Sequence, residues 1–287
     1  MKRIIYILFF SLCCSLGYAQ SSLQDAFKAF QSGDLNNAKS IIDGLSSDES
    51  MKTDPKYWYI RSYIYKSLYK KATTNTIAHS MKKIAVISIL ELLKVDKEQK
   101  YTKDAKVNLK YFAISYYNDA NKLGKEKNFD GSLKAFDEFE RLIVMADPSM
   151  NVKAKKIEYY LFLGSENSRI YENDNSSKVP FDAAKEYFNK VLTLDPNNVN
   201  ASFNLAVLYY NEGSNIINML EYDIDLEALS TVEDRSIAMF KQSLPYMEFV
   251  YNKEPNNKDA IKGLSGIYYA LKEFDKSNEF KAKLEKE

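Results

Sequence analysis

Cysteine is nearly missing from this sequence. Two occur among 287 residues, Cys13 and Cys14, and both lie within the first nineteen positions. A chain that loses that segment has no disulfide, no thiol nucleophile and no thiolate metal ligand. Histidine is scarcer still: His79 is the only one. That excludes the usual multi-histidine metal sets. With no G-x-S-x-G elbow in the chain, a Ser-His-Asp triad has no frame either. An excess of one charge is also lacking. The 40 Lys and Arg residues face 39 Asp and Glu, which removes a general electrostatic pull toward nucleic acid. Proline and glycine number only 6 and 9, which suits helices. Past the start there is no long apolar run. Residues 84–93 come nearest, but Ser88 and Glu91 interrupt them and the stretch is too short to span a bilayer.

The start itself is different. Residues 1–19 read MKRIIYILFFSLCCSLGYA. Lys2 and Arg3 give a positive end, an apolar stretch follows, and Gly17 and Ala19 occupy the small-residue places of a cleavage site. This predicts a signal peptide removed after Ala19 and a mature chain, 20–287, exported to the periplasm without a membrane span. Lipidation at Cys13 or Cys14 is the alternative. It needs a small residue before the cysteine, whereas Leu12 and Cys13 stand there. Losing Lys2 and Arg3 takes the basic count from 40 to 38 against 39 acids, so the mature chain is close to neutral.

Aromatic residues are plentiful, with 22 Tyr and 16 Phe, and many recur at helical spacing. Residues 181–210 show the pattern best. Phe181, Ala184, Phe188 and Val191 share one helix face. Pro196 stops that helix, and Asn197 and Asn198 supply a turn. Leu205, Ala206 and Tyr209 then follow with the spacing L-G-x2-Y, with Ala in the Gly place. Glu254-Pro255-Asn256-Asn257 repeats Asp195-Pro196-Asn197-Asn198. The same unit recurs with variations. Gly33-Asp34-Leu35 precedes Ala38. Trp58, Ser62 and Tyr65 come before Ala85 and Ile89. Ala120 and Leu123 come before Phe129, Ser132, Phe136 and Phe139. Tyr160, Leu163 and Gly164 open the unit that ends in 181–194. Leu264, Tyr268, Phe274 and Ser277 form the last one.

This pattern resembles the tetratricopeptide repeat (TPR) family over residues 20–287. The resemblance implies an all-α, right-handed α-solenoid of about five to six irregular helical hairpins. Departures from the 34-residue repeat are expected as loops at 46–52 and 73–77, an insertion at 172–179, and a loop near 223–234. The helix predicted over 234–252 is expected to kink or start late at Pro245. Asp223, Asp225, Glu227 and Asp234 fit part of a calcium-loop count. Ala228 stands at the required Gly, so an acidic, solvated loop is the reading there.

The resemblance further implies a non-catalytic scaffold without cofactor or metal. It would bind a protein or peptide in a groove lined by the first helices of the hairpins. In register, those groove positions are Tyr59, Tyr63, Tyr117, Asn121, Phe203, Tyr210 and Asn211. Tyr59, Tyr117 and Phe203 stand where the family's clamp for chaperone tails carries Lys, so that ligand is not implied. The same residues also suit helix-helix packing. Two other functions stay open: a glycan-binding envelope module, since tyrosines stack on sugars, and an envelope hydrolase seated in the insertions.

Overall fold

The computed structural model describes residues 22–220 and 225–285. The expected signal peptide, Cys13, Cys14 and Asp223 lie outside them. The described residues are all-α, and no strand occurs among them. The helices are α1 (22–31), α2 (Leu35–Gly44), α3 (Glu49–Lys52), α4 (Pro55–Lys71), α5 (Asn75–Val95), α6 (Thr102–Lys125) and α7 (Phe129–Ala146). They continue with α8 (Val152–Asn173), α9 (Val179–Leu194), α10 (Val199–Asn218), α11 (Leu226–Lys253), α12 (Lys258–Ala270) and α13 (Phe274–Glu285). Paired in sequence, with α3 as an extra turn between the first two pairs, they give six TPR-like antiparallel hairpins. The chain divides into two compact units. One holds the residues up to Ala120 together with Asp130–Met150; the other holds Asn121–Phe129 and the chain from Asn151 on.

Short polar side chains start the helices. Asp34, Asp54, Asn151, Asn198 and Asn257 each accept a backbone N–H from the first turn of the helix that follows. The repeated Pro-Asn-Asn segment is one device used twice. Asn198 accepts from Ala201 N at 3.0 Å, and its amide donates to Asp195 at 3.1 Å. Asn257 does the same toward Ala260 at 3.0 Å and Glu254 at 2.8 Å. Gly33 takes the left-handed conformation, φ 83°, that the first turn requires.

Within a hairpin, helices approach through small residues. The Ser132 hydroxyl donates to the Ala120 carbonyl at 2.7 Å. Ser243 donates to the Ala206 carbonyl at 2.7 Å and Ser236 to the Gly213 carbonyl at 2.8 Å, two turns apart on each helix. Ser265 and Ser277 exchange hydroxyl bonds to each other's carbonyls at 3.1 and 2.8 Å. A side chain one atom beyond Cβ reaches the facing backbone only if the two helices are close. The apolar faces fill the rest. In the second unit Tyr171, Phe181, Ala184, Phe188, Leu205 and Leu208 form one cluster, and Phe240, Met247, Val250, Leu264 and Ile267 belong to another.

Three expected loops are wholly or partly helical among the described residues. Residues 45–52 form a 3-10 turn and α3, because Asp48 caps Ser50 and Met51 is buried. The 73–77 loop is shorter, since Thr74 caps α5 through Ile77 N at 3.3 Å. Asp225 caps α11 through Ala228 N at 2.8 Å, so the helix begins at Leu226 rather than near 234. It runs through Pro245 without a late start. Pro245 lies on the exposed face of the helix, where its ring does not meet the core. Glu227 and Asp234 are therefore helical, so from Leu226 on the acidic calcium-loop count has no loop to sit on. No helix among the described residues is long and apolar enough to cross a membrane.

Candidate functional site

In the first unit, one face of α4 meets one face of α6. Residues Tyr59, Tyr63, Lys66 and Lys70 follow each other at i, i+4, i+7 and i+11, a single helical stripe. Asp104, Asn108, Tyr111 and Ser115 do the same on α6. The Tyr59 hydroxyl donates to Asp104 at 3.3 Å, Lys66 donates to Asn108 at 2.5 Å, and the Tyr69 and Ser115 hydroxyls bond at 2.8 Å. Positions rise together along both helices, so α4 and α6 run parallel, as the first helices of successive hairpins must.

The rungs are aromatic as well as polar. Tyr59 lies 4.6 Å from Tyr101 and 4.8 Å from Tyr63, ring centre to ring centre. Lys66 and Lys70 stand over the Tyr111 ring at 4.6 and 5.4 Å. Tyr111 remains 38% exposed, so this ring with its two cations reaches solvent. Burial, and then the charge of Lys70, lower the pKa of Lys66 below the ordinary lysine value. Burial and the bonds with Tyr63 and Asp104 raise that of Tyr59.

One end of this face is fastened by a residue that sequence reasoning missed. Lys82 on α5 is 2% exposed. Its ammonium donates to Ser115 at 3.1 Å and to the Asp119 carboxylate, and it lies 4.3 Å from the Tyr116 ring. A buried ammonium is tolerable only with such partners. Burial, then the charges of Glu138 and Asp119, push Tyr116 up to about 12.

All seven sequence-derived groove positions are half-buried. Tyr59 and Tyr63 lie on the α4–α6 face. Tyr117, on the same helix as Asn108 and Tyr111, turns toward its hairpin partner instead and packs on Phe136 and Phe139 at 6.1 and 5.1 Å. Asn121, Phe203, Tyr210 and Asn211 belong to the second unit. Phe203 packs against the α10–α12 core. Tyr210 meets Phe240 edge-on at 5.4 Å, with its hydroxyl close to Gly266. Asn211 donates to Glu172 at 3.3 Å. Lys66, Lys70, Tyr101 and Tyr111 were missed, although the helical period extended from Tyr59 and Tyr63 reaches both lysines.

His79 is exposed on α5, and among the described residues no three His, Cys, Asp or Glu side chains converge as metal ligands. The face offers rings, amides and ammonium groups, which can bind and orient a chain.

No protein-family model matches this chain, and no curated protein does. Solved structures resemble it weakly. PilF of Pseudomonas aeruginosa matches with 13% identity and a TM-score of 0.35, over 93% of this chain and 90% of PilF. Human IFIT1, solved as a dimer with m7Gppp-AAAA, matches with 17% identity and a TM-score of 0.34, over 90% of this chain. The chain spans 58% of the length of IFIT1.

Proposed function

We propose that this protein is an exported, non-catalytic member of the TPR family that binds a protein or peptide in the cell envelope. The binding face is the α4–α6 surface around Tyr59, Tyr63, Lys66, Lys70, Tyr101 and Tyr111. The observation that carries this reading is Tyr111: an exposed ring of α6 with two ammonium groups of the parallel helix α4 over it. Tyrosine combines large contact area with little side-chain entropy, and such rings often anchor interfaces. The charge-neutral composition and the signal-like start fit an envelope partner that is not a nucleic acid.

The experiment is affinity capture from the envelope fraction of the source cells, with wild-type protein beside Tyr111→Ala and Lys70→Ala. A partner held by the wild type and lost by both variants supports the reading. Equal capture by all three proteins contradicts it. Retention on envelope oligosaccharides without any protein partner would transfer the face to the glycan-binding function.

A further inference from the structure

The two departures from the repeat that stacking does not need meet in one place. The segment 172–179 brings Lys178, and the lengthened ends of α10 and α11 bring Glu212, Asn215 and Arg235. Together with Tyr171 of α8 they surround a cleft of about 490 Å³. Its floor is a closed polar network. The carboxylate of buried Glu212 accepts from the Tyr171 hydroxyl with one oxygen and from the Lys178 ammonium with the other. Lys178 also donates to the Tyr171 oxygen. Only the carboxylate of this pair is buried; replacing a buried charge and its partner with apolar residues is often neutral or stabilising, so its presence at a cavity floor points to a use beyond folding.

Among the described residues the cleft is lined by two cations and two carboxylates, but they are not all paired with one another. Glu212 is taken by Lys178, and the Asp225 carboxylate caps α11. Arg235, one residue from the Ser236–Gly213 contact, has no carboxylate partner among the described residues. Beside it Ile216, Met219 and Val232 form an apolar wall. A guanidinium matches a planar carboxylate with two parallel bonds, and an aliphatic wall matches a branched side chain.

We propose that this cleft binds a carboxylate that carries an aliphatic group, as presented by a free aliphatic amino acid or by the last residue of a peptide. Arg235 takes the carboxylate, Asn215 supplies an amide contact, and the α10–α11 wall takes the side chain. The site uses no residue of α4 or α6, so it stands or falls separately from the proposed partner face.

The test is calorimetric titration of the protein with N-acetyl-leucine, leucine and N-acetyl-leucine amide. At least one of the two acids is expected to bind, and the amide at least tenfold more weakly. The exposed Arg235→Gln change should lower the affinity for that acid at least tenfold while circular dichroism stays unchanged. Tighter binding of N-acetyl-leucine than of leucine assigns a peptide end; the reverse assigns the free amino acid. No binding of either acid, equal binding of acid and amide, or an Arg235→Gln variant that binds like the wild type would overturn the proposal.

Discussion

Gly164 on α8 lies directly against the ring of Phe188 on α9. A Cβ placed on Gly164 would sit 2.4 Å from Cε1 of that ring, and Phe188 is fully buried. The absence of a side chain at 164 is thus what lets a phenyl ring fill the hairpin.

That fit sets a coupled pair of stability effects. Gly164→Ala forces the ring to move and should cost about 1–3 kcal/mol through overpacking. Phe188→Ala opens a cavity and should cost about 3–5 kcal/mol. The double variant should be less destabilised than the two costs combined, because the cavity removes the clash. Urea unfolding of the four proteins measures this; strict additivity would show that the two sites are not in contact.

The Asn198 and Asn257 caps give a second expectation. Each orders one helix start by accepting a backbone N–H and also bonds the acid three residues earlier. Replacing either with Ala should cost about 1 kcal/mol. Chemical denaturation of each variant is the check, and a change below a few tenths would remove the capping role.

The floor of the cleft should respond to single and paired changes differently. Lys178→Ala strands the Glu212 carboxylate in a site where it is 5% exposed, while the lysine side chain itself is 50% exposed. The expected cost is about 1–3 kcal/mol, at the scale of an unmade bond to a buried acceptor rather than a fully buried pair. Lys178→Met with Glu212→Leu should recover most of it. Burial alone would lower the pKa of Lys178; its bonds to Glu212 and Tyr171 outweigh that and raise it. Its contribution is therefore complete below the ordinary lysine value and disappears as pH rises through the higher folded value. Stability measured from pH 9 to pH 12 should fall less steeply in the doubly substituted protein; parallel profiles would contradict the pairing.

At the acid end, Asp147 is the group to follow. Hydrogen bonds from Lys110 and Ser149 hold its carboxyl down to about 2 from an ordinary 3.8. A depressed carboxylate stabilises the fold above its unfolded value, and the benefit is lost as pH falls toward 2. Carboxyl-carbon NMR titration should show this low value, and Lys110→Ala should move it upward. An unmoved titration would assign the effect to Ser149 alone.

Much of the fold was legible in the sequence because its signals are local. Gly33, the Asp-Pro and Glu-Pro junctions, and the small residues Ala120, Gly164, Ala206 and Ser243 all act through backbone geometry or close approach, which depend on residue type at fixed spacing. The missed helices at α3, the start of α5 and the start of α11 were hidden in polar segments. There Asp48, Thr74 and Asp225 decide the matter by side-chain caps, which resemble loop residues when read singly. The candidate face was half legible. Tyr59 and Tyr63 follow from the repeat register. Tyr111 does not, because α6 is longer than a repeat helix and the register taken from its far end selects Tyr117, which faces α7. Lys82 gave no signal: only the fold brings it to Ser115 and Asp119, some thirty-five residues along the chain.

The α4–α6 face is proposed to hold the partner. Tyr111 and Lys70 are exposed there, and Tyr269 on α12 is a more accessible ring elsewhere, 67% exposed. Replacing any of them with Ala should leave unfolding free energy within about 1 kcal/mol of the wild type. The decisive measurement is quantitative capture of the envelope partner by the Tyr111→Ala/Lys70→Ala protein beside Tyr269→Ala, at equal folded concentration. The expected result is loss of capture in the first and wild-type capture in the second. Undiminished capture by the Tyr111→Ala/Lys70→Ala protein would place the partner on another face.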